Sequence, residues 1–321
     1  MATERIDLGG HDTPCLPADR LGAELGFEPG MLWIKRDDLT RLAGGGNKVR
    51  KLEHLVAAAQ AEGADVLVTG GAAQSNHVRQ TAAAARMVGM DCVGVFSSDP
   101  PPVPEGNLII DRLLGLDERW MGPLGFHDVD AAISQVCDEL AADGRVPYRI
   151  PIGGSSPVGA LGYVDSADEI DQVAPPGSAV YVAVGSGGTA AGLGVGLGDW
   201  ARLKGVDVVG GRSLEGFVSR LGAEAAALID RPAPDGWPQF DRSQVGEGYG
   251  APTDDCMDAL RLAVCTEGIV LDPVYSGKAM AGLIADRRSG RLPPDQPTVY
   301  VHTGGLPGLL VDRYQPWFPR P

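Results

Sequence analysis

Gly44-Gly45-Gly46-Asn47-Lys48-Val49-Arg50-Lys51-Leu52-Glu53 decides how the rest of the chain is read. Three glycines run into an asparagine, and a lysine follows where a helix should begin. From Val49 the apolar positions recur at Leu52, Leu55, Val56 and Ala59, the spacing of one helical face. Asn47 is the expected N-cap and Gly63 the expected stop. Lys48 and Lys51 then stand at i and i+3 on the first turn. Cations are disfavoured there, because the helix macrodipole is positive at its N-terminus. An anion or an electrophilic ligand beside the two amines accounts for the placement.

Lysine usage sharpens the point. The 27 basic residues comprise five lysines (Lys35, Lys48, Lys51, Lys204, Lys278) and hence 22 arginines. Three of the five lysines lie between positions 35 and 51. Arginine cannot lose its proton in a protein and forms no Schiff base; lysine does both. A solvated basic turn is the bland alternative, and composition alone does not separate the two.

At 321 residues the chain is one large α/β domain or two lobes. A net charge of −15 argues against nucleic acid and against anionic membrane surfaces as partners. An anionic ligand must then be held by local donors. The five cysteines (Cys15, Cys92, Cys137, Cys256, Cys265) lack CxxC or Cys/His clustering, which fits a reducing cytoplasm and gives no metal site. The first residues, from Met1 to Arg5, carry no apolar core of a signal peptide, and no apolar run reaches membrane-spanning length.

Strands and helices alternate along the chain. Strands are expected at 32–35, 66–69, 92–96, 146–150, 179–184, 206–209, 269–271 and 299–302. Helices are expected after Lys48, at 76–87, near 107–115, at 128–142, up to about 173, after 189, at 253–266, from Ser276 and at the end. Such repeats imply parallel sheets with right-handed crossovers. In open parallel sheets ligands sit beyond the carboxyl ends of strands. Four Gly/Ser turns occupy such positions: 44–47, 70–76, 153–156 and 185–189.

Gly185-Ser186-Gly187-Gly188-Thr189 offers backbone N–H groups and two hydroxyls at a helix start, which suits a phosphate monoester. It also matches the dinucleotide fingerprint through Ala190. The acidic residue that fingerprint requires is missing after the next strand, which ends at Gly210-Gly211-Arg212, although an arginine there suits a 2′-phosphate. Ser75 and Asn76 are good caps, and with His77 they also suit a carboxylate clamp. A serine hydrolase is a third reading, without its Gly-x-Ser-x-Gly. Tyr249 lies in Gly246-Glu247-Gly248-Tyr249-Gly250, and Tyr275 precedes Ser276; each suits core packing or stacking with acid–base work.

Together these segments resemble the pyridoxal-phosphate family of D-cysteine desulfhydrase and 1-aminocyclopropane-1-carboxylate deaminase. It is a branch of the tryptophan-synthase-β-like, fold type II enzymes. The resemblance is carried by Trp33–Asp38, Gly45–Glu53, Gln74–Gln80, Gly153–Ser155, Gly159–Tyr163, Gly185–Gly192, Gly246–Gly250, Leu271–Lys278 and His302–Gly305. It implies a two-lobed α/β parallel-sheet fold. Residues 50–160 form the small domain, and 1–49 with 161–321 form the large cofactor-binding domain.

The resemblance also implies roles. Lys48 is similar to the Schiff-base lysine. Lys51, Asn76 and Gly185, Ser186, Gly187, Gly188 and Thr189 resemble the phosphate contacts. Ser75, Asn76 and His77 resemble the substrate-carboxylate site. Tyr249 and Tyr275 resemble the active-site tyrosines, one stacking on the cofactor, and Ser276 occupies the position facing the pyridine nitrogen. The deaminase branch carries glutamate there, so a hydroxyl favours β-elimination over ring opening. The implied activity is D-cysteine desulfhydrase-like, releasing pyruvate, sulfide and ammonia from a small amino acid. L-cysteate sulfo-lyase or the deaminase are alternatives. Outside the family, a nicotinamide (NAD(P)) oxidoreductase or a non-catalytic small-molecule binder remains. A cytoplasmic homodimer is expected.

Overall fold

The computed structural model describes residues 4–211 and 213–318. Arg212 and Met1 to Thr3 lie outside the described residues. The expected alternation builds two sheets. Among the described residues ten strands supply them: β1 (Cys15–Pro17), β2 (Leu32–Lys35), β3 (Val66–Gly71), β4 (Asp91–Phe96), β5 (Asp117–Trp120), β6 (Pro147–Arg149), β7 (Ala179–Val184), β8 (Leu203–Asp207), β9 (Phe240–Asp241) and β10 (Thr298–Val301). The larger sheet has the order β1-β2-β10-β7-β8-β9 and the smaller β5-β4-β3-β6. Every pairing is parallel except that of β1 with β2.

Both sheets are covered on both faces, as parallel sheets require. In β3, Val66 and Val68 pack with Val129, Ile133 and Val136 of helix Phe126–Ala142. Leu67 faces the other way, toward helices Lys48–Ala61 and Asn76–Val88. Strand β7 is buried throughout, as its apolar run implies. Its Val180, Val182 and Val184 meet helices Pro157–Val173 and Gly188–Leu197, and its alternate residues meet Asp254–Glu267 and Ser276–Arg288.

Three short strands and helix Glu215–Leu228 fall outside the sequence reading. Strand β5 reads Asp-Glu-Arg-Trp at a sheet edge, where charge discourages further pairing and hides the apolar pattern. Strand β8 starts at Leu203, earlier than expected. It stops at Asp207, whose carboxylate accepts from the Val209 and Gly210 amides at 2.9 and 3.1 Å. Residues 269–271, expected as a strand, form none. Their backbone is taken elsewhere: Ile269 N–H donates to Ala263 O, and Val270 O lies 3.1 Å from His302 Nε2.

The helix Lys48–Ala61 is fastened from behind by a buried ion network. Arg50 reaches Asp37 Oδ1 at 3.0 Å and both oxygens of Glu169 at 2.8 Å. Asp37 also accepts from Thr13 Oγ1 and Tyr163 Oη, each at 2.7 Å. Burial works to raise the Asp37 carboxyl, but Arg50 and Lys35 outweigh it and hold it below its ordinary value. Glu53 Oε1 takes the amides of Leu8 and Gly10, and its Oε2 pairs with His11. Breaking such a buried pair typically costs about 3–5 kcal/mol.

His11 makes this network pH-sensitive. Burial would lower its pKa, but Glu169 and Glu53 together raise it to about 9, against 6.5 ordinarily. A folded-state pKa above the unfolded one gives stabilisation that is complete below about 6.5 and is lost as pH rises through about 9. We therefore expect the melting-temperature advantage of wild type over His11→Asn to be largest near pH 6 and to vanish by pH 10. Thermal unfolding followed by circular dichroism checks this.

Candidate active site

Helix Lys48–Ala61 begins where the lysine spacing placed it, and Gly63 ends it with φ +71°. Asn47 does not cap it. Its backbone is already helical, and its side chain crosses to Thr189, Nδ2 donating to Oγ1 at 3.0 Å. A tertiary contact has displaced the local one.

Lys48 lines a cleft of about 320 Å³ between the carboxyl ends of β3 and β7. Burial pushes its amine down to about 8. Lys51 is fully buried just behind, donating to Gly153 O at 3.0 Å. Burial first, and then the Lys48 charge, holds its amine well below the ordinary range. Among the described residues no carboxylate hydrogen-bonds or pairs with either amine.

Across from Lys51 lies the start of helix Gly188–Leu197. Gly187 turns the chain into it at φ +94°, a conformation that L side chains rarely adopt. A Cβ on Gly188 would stand 2.9 Å from Lys51 Nζ and 2.7 Å from Ser155 Oγ. The buried amine thus presses against a positive helix end, a like-charge arrangement that a bound anion relieves. Gly185, Ser186, Gly187 and Thr189 line the cleft, with Gly188 set behind them.

Ser75, Asn76 and His77 line the opposite wall. Ser75 caps helix Asn76–Val88, its Oγ accepting from Val78 N at 3.2 Å, which leaves its O–H free to donate. The Asn76 and His77 amides sit at the positive end of that helix. His77 is buried, and its ring lies beside the Pro151 carbonyl without a well-formed hydrogen bond. Burial, with Lys48 and Lys51 adding to it, holds its pKa well below normal, so the ring is neutral at pH 7.

Tyr249 and Tyr275 also reach the cleft, their hydroxyls 2.5 Å apart. Tyr249 is 43% exposed overall, with its hydroxyl turned inward. Desolvation raises both phenols, Tyr275 further because Tyr249 and Asp272 lie beside it. Ser276 is fully buried and does not line the cleft. Its Oγ donates to Asp272 Oδ1 at 2.6 Å and accepts from Asp272 N at 2.7 Å.

Two site residues escaped the sequence reading. Ser155 Oγ accepts from Gly188 N at 3.1 Å and donates to Ser186 Oγ at 2.8 Å, so it sets the glycine turn. Asp272 gathers the amides of Val274, Tyr275 and Ser276 and so builds the turn that presents Tyr275. Asp four residues ahead of a helix start was the available signal for the latter. Ser155 had none beyond its place in a Gly/Ser turn.

Two unneutralised amines, a positive helix end and a glycine that leaves room between them form a site for a phosphate. The amine at 48, eased toward neutrality by burial, suits an aldehyde. Pyridoxal phosphate carries both groups, and these residues fit it. Residues 6–304 match the family model described as pyridoxal-phosphate dependent enzyme, and the chain belongs to that family. It is 41% identical to D-cysteine desulfhydrase of Salmonella paratyphi B over 329 residues, covering 96% of this chain and 95% of that one. The crystal structure of an ACC deaminase homologue superposes with a TM-score of 0.88 at 35% identity, covering 98% and 94% of the two chains. Threonine deaminase isoform 2 from Solanum lycopersicum shares the fold, with a TM-score of 0.66 at 17% identity over 91% and 83%. The expected fold class and cofactor are therefore correct, and the chain is a pyridoxal-phosphate enzyme of fold type II.

Two outcomes follow from this geometry. Gly188→Ala intrudes between Lys51 and Ser155 and is expected to weaken pyridoxal-phosphate binding at least about tenfold, as overpacking does, with the circular dichroism unchanged. Absorbance titration of the apoprotein measures it. Capture of the free aldehyde by apoprotein should quicken as pH rises to about 8 and level off above, because only the neutral Lys48 amine attacks. Stopped-flow absorbance reads that profile.

Proposed function

We propose that the protein is a β-eliminating lyase acting on D-cysteine, with pyruvate, sulfide and ammonia as products. The observation that carries this reading is the charge inventory of the cleft. Lys48 is the one charged side chain among its described lining residues, and His77 is neutral. The two anion sites are already allotted, one to a phosphate and one to an α-carboxylate. The remaining wall is uncharged: Leu124, Val129, Ile152 and Ala72 stand there with the hydroxyl residues Ser97 and Thr303. Arg313 does not line the cleft; it lines an adjoining cavity of about 240 Å³ that shares Tyr249 and Tyr275 with it. A sulfonate on the β-carbon would be buried without a cation, which costs several kcal/mol. An uncharged thiol avoids that cost.

Pyridoxal phosphate, when bound, supplies an aldehyde for the amino group and a ring that withdraws electrons from Cα. Lys51, Thr189 and the amides of 185–189 bind the phosphate. Lys48 Nζ would hold the aldehyde end of the cofactor, and its amine, eased toward neutrality by burial, would take the Cα proton. Ser75 Oγ, the Asn76 side chain and the amides of Asn76 and His77 bind the substrate carboxylate. The Tyr249–Tyr275 hydroxyl pair donates a hydrogen bond toward the departing sulfur. Among the described residues no carboxylate lines the cleft, which favours elimination over opening a cyclopropane that has no leaving group.

The two sheets support the proposed division into a small domain of 50–160 and a large domain of 1–49 with 161–321. All five cysteines are free, which suits a cytoplasmic setting. Among the described residues no helix is long and apolar enough to cross a membrane. For the homodimer, segments 105–107 and 307–312 abut, and Ile109, Leu113, Leu306 and Leu310 of the flanking chain stand exposed.

Sulfide release from D-cysteine should exceed sulfite release from L-cysteate at least about a hundredfold in kcat/KM, as an unpaired buried anion implies. Lys48→Ala should lower pyruvate formation by about three orders of magnitude or more, as loss of the sole base implies. Coupled lactate dehydrogenase and sulfide assays test both. Sulfite release equal to sulfide release would overturn the assignment.

A further inference from the structure

We propose that Arg79 is a positioning residue: it turns the Asn76 carboxamide so that the NH2, and not the oxygen, faces the ligand. The proposal rests on the reading of the Ser75–His77 turn as the carboxylate site. Arg79 is fully buried and stands three residues along the helix from Asn76. Its Nη2 lies 3.3 Å from Asn76 Oδ1. A guanidinium has five N–H donors and no acceptor, so the Asn76 atom it meets must be the carbonyl oxygen. Asn76 lines the cleft, and its NH2 is the branch left to face it.

The guanidinium is itself held in place. Nη2 also donates to Gly45 O at 3.1 Å, and Nη1 donates to Ala43 O. These carbonyls belong to the turn that leads into Lys48. The orientation of Asn76 on one wall is therefore set by the loop that sets the lysine on the other. Gln80 also donates to Gly45 O, so the turn has a second tie that does not touch Asn76. Burial pushes the Arg79 pKa down to about 10, with Asp111 working to raise it, so the cation persists at neutral pH.

An asparagine without this partner is ambivalent. Its oxygen, rotated toward the cleft, would repel a carboxylate; its NH2 binds one. Donor-only character at position 79 removes the ambiguity. A lysine there keeps that character, whereas a methionine of similar volume does not.

The test uses holoenzyme and D-alanine, which has the carboxylate but no β-substituent to eliminate. Binding is read by calorimetry and by the change in cofactor absorbance, with melting temperature as the folding control. Arg79→Met should weaken D-alanine binding at least tenfold and raise KM for D-cysteine alike, with kcat changing less than threefold. Arg79→Lys should stay within threefold of wild type in both. In an Asn76→Ala background, Arg79→Met should add no further loss. An equal loss in that background, or unchanged D-alanine binding in Arg79→Met, overturns the proposal. If Arg79→Met does not fold, Arg79→Lys decides: a threefold limit supports it and a tenfold loss overturns it. A wild-type protein that binds neither pyridoxal phosphate nor D-alanine overturns the functional reading, and the proposal with it.

Discussion

Two lysine amines, one turn apart on one helix, share a confined space with no carboxylate among the described residues to neutralise them. That constraint organises the cleft. The same helix shows the opposite arrangement on its other side. There Arg50 and Glu53 are fully engaged, with Asp37, Glu169 and His11 as partners. The contrast excludes a shortage of acids as the reason for the bare amines. With a net charge of −15, carboxylates are plentiful. They are withheld from one face of one helix, which leaves that face open to the negative charge of a ligand.

The rest of the fold holds that face still. Parallel sheets place their strand ends side by side, and the turns beyond β3 and β7 point helix N-termini into one space. Three bonds then cross the space: Asn47 to Thr189, Lys51 to Gly153 and Ser155 to Ser186. Each joins segments more than thirty positions apart. The site is therefore preorganised, and the work of aligning donors is done during folding rather than during ligand binding. The ion network behind Arg50 serves the same end, since it ties strand β2, the N-terminal segment and helix Pro157–Val173 to the lysine helix.

What the sequence discloses and what it conceals divide along the same line. Local patterns were legible. The lysine spacing, the cap at Ser75, the buried run of β7 and the glycine turn at 185–189 each depend on neighbours within a few positions. Pairings over long separations were not. Asn47 has the chemistry of a cap, and nothing nearby announces that Thr189 will claim its amide. Residues 269–271 have the composition of a strand, but their backbone is satisfied by a helix end and by His302. Ser276 looks like a free hydroxyl until Asp272 is seen to occupy it on both its donor and its acceptor side.

The phenol pair bears on how the proposed elimination proceeds. Desolvation raises both Tyr249 and Tyr275, so neither gives up its proton readily. A thiol is a stronger acid than a phenol by more than a unit even in water. A departing sulfur is thus a weaker base than the groups facing it, and full proton transfer to it is uphill. Within the pair one hydroxyl donates to the other, so the proposed reading leaves one O–H as a fixed hydrogen-bond donor toward the charge that develops on sulfur. A leaving group that carries its own charge away also asks less of the ring. A cleft with no carboxylate among its described lining residues is consistent with that lower demand. In the proposed reaction the weak base at the β-carbon, the reluctant phenols and the uncharged wall are then one solution to one problem: letting an anion form briefly without providing it a permanent place to bind.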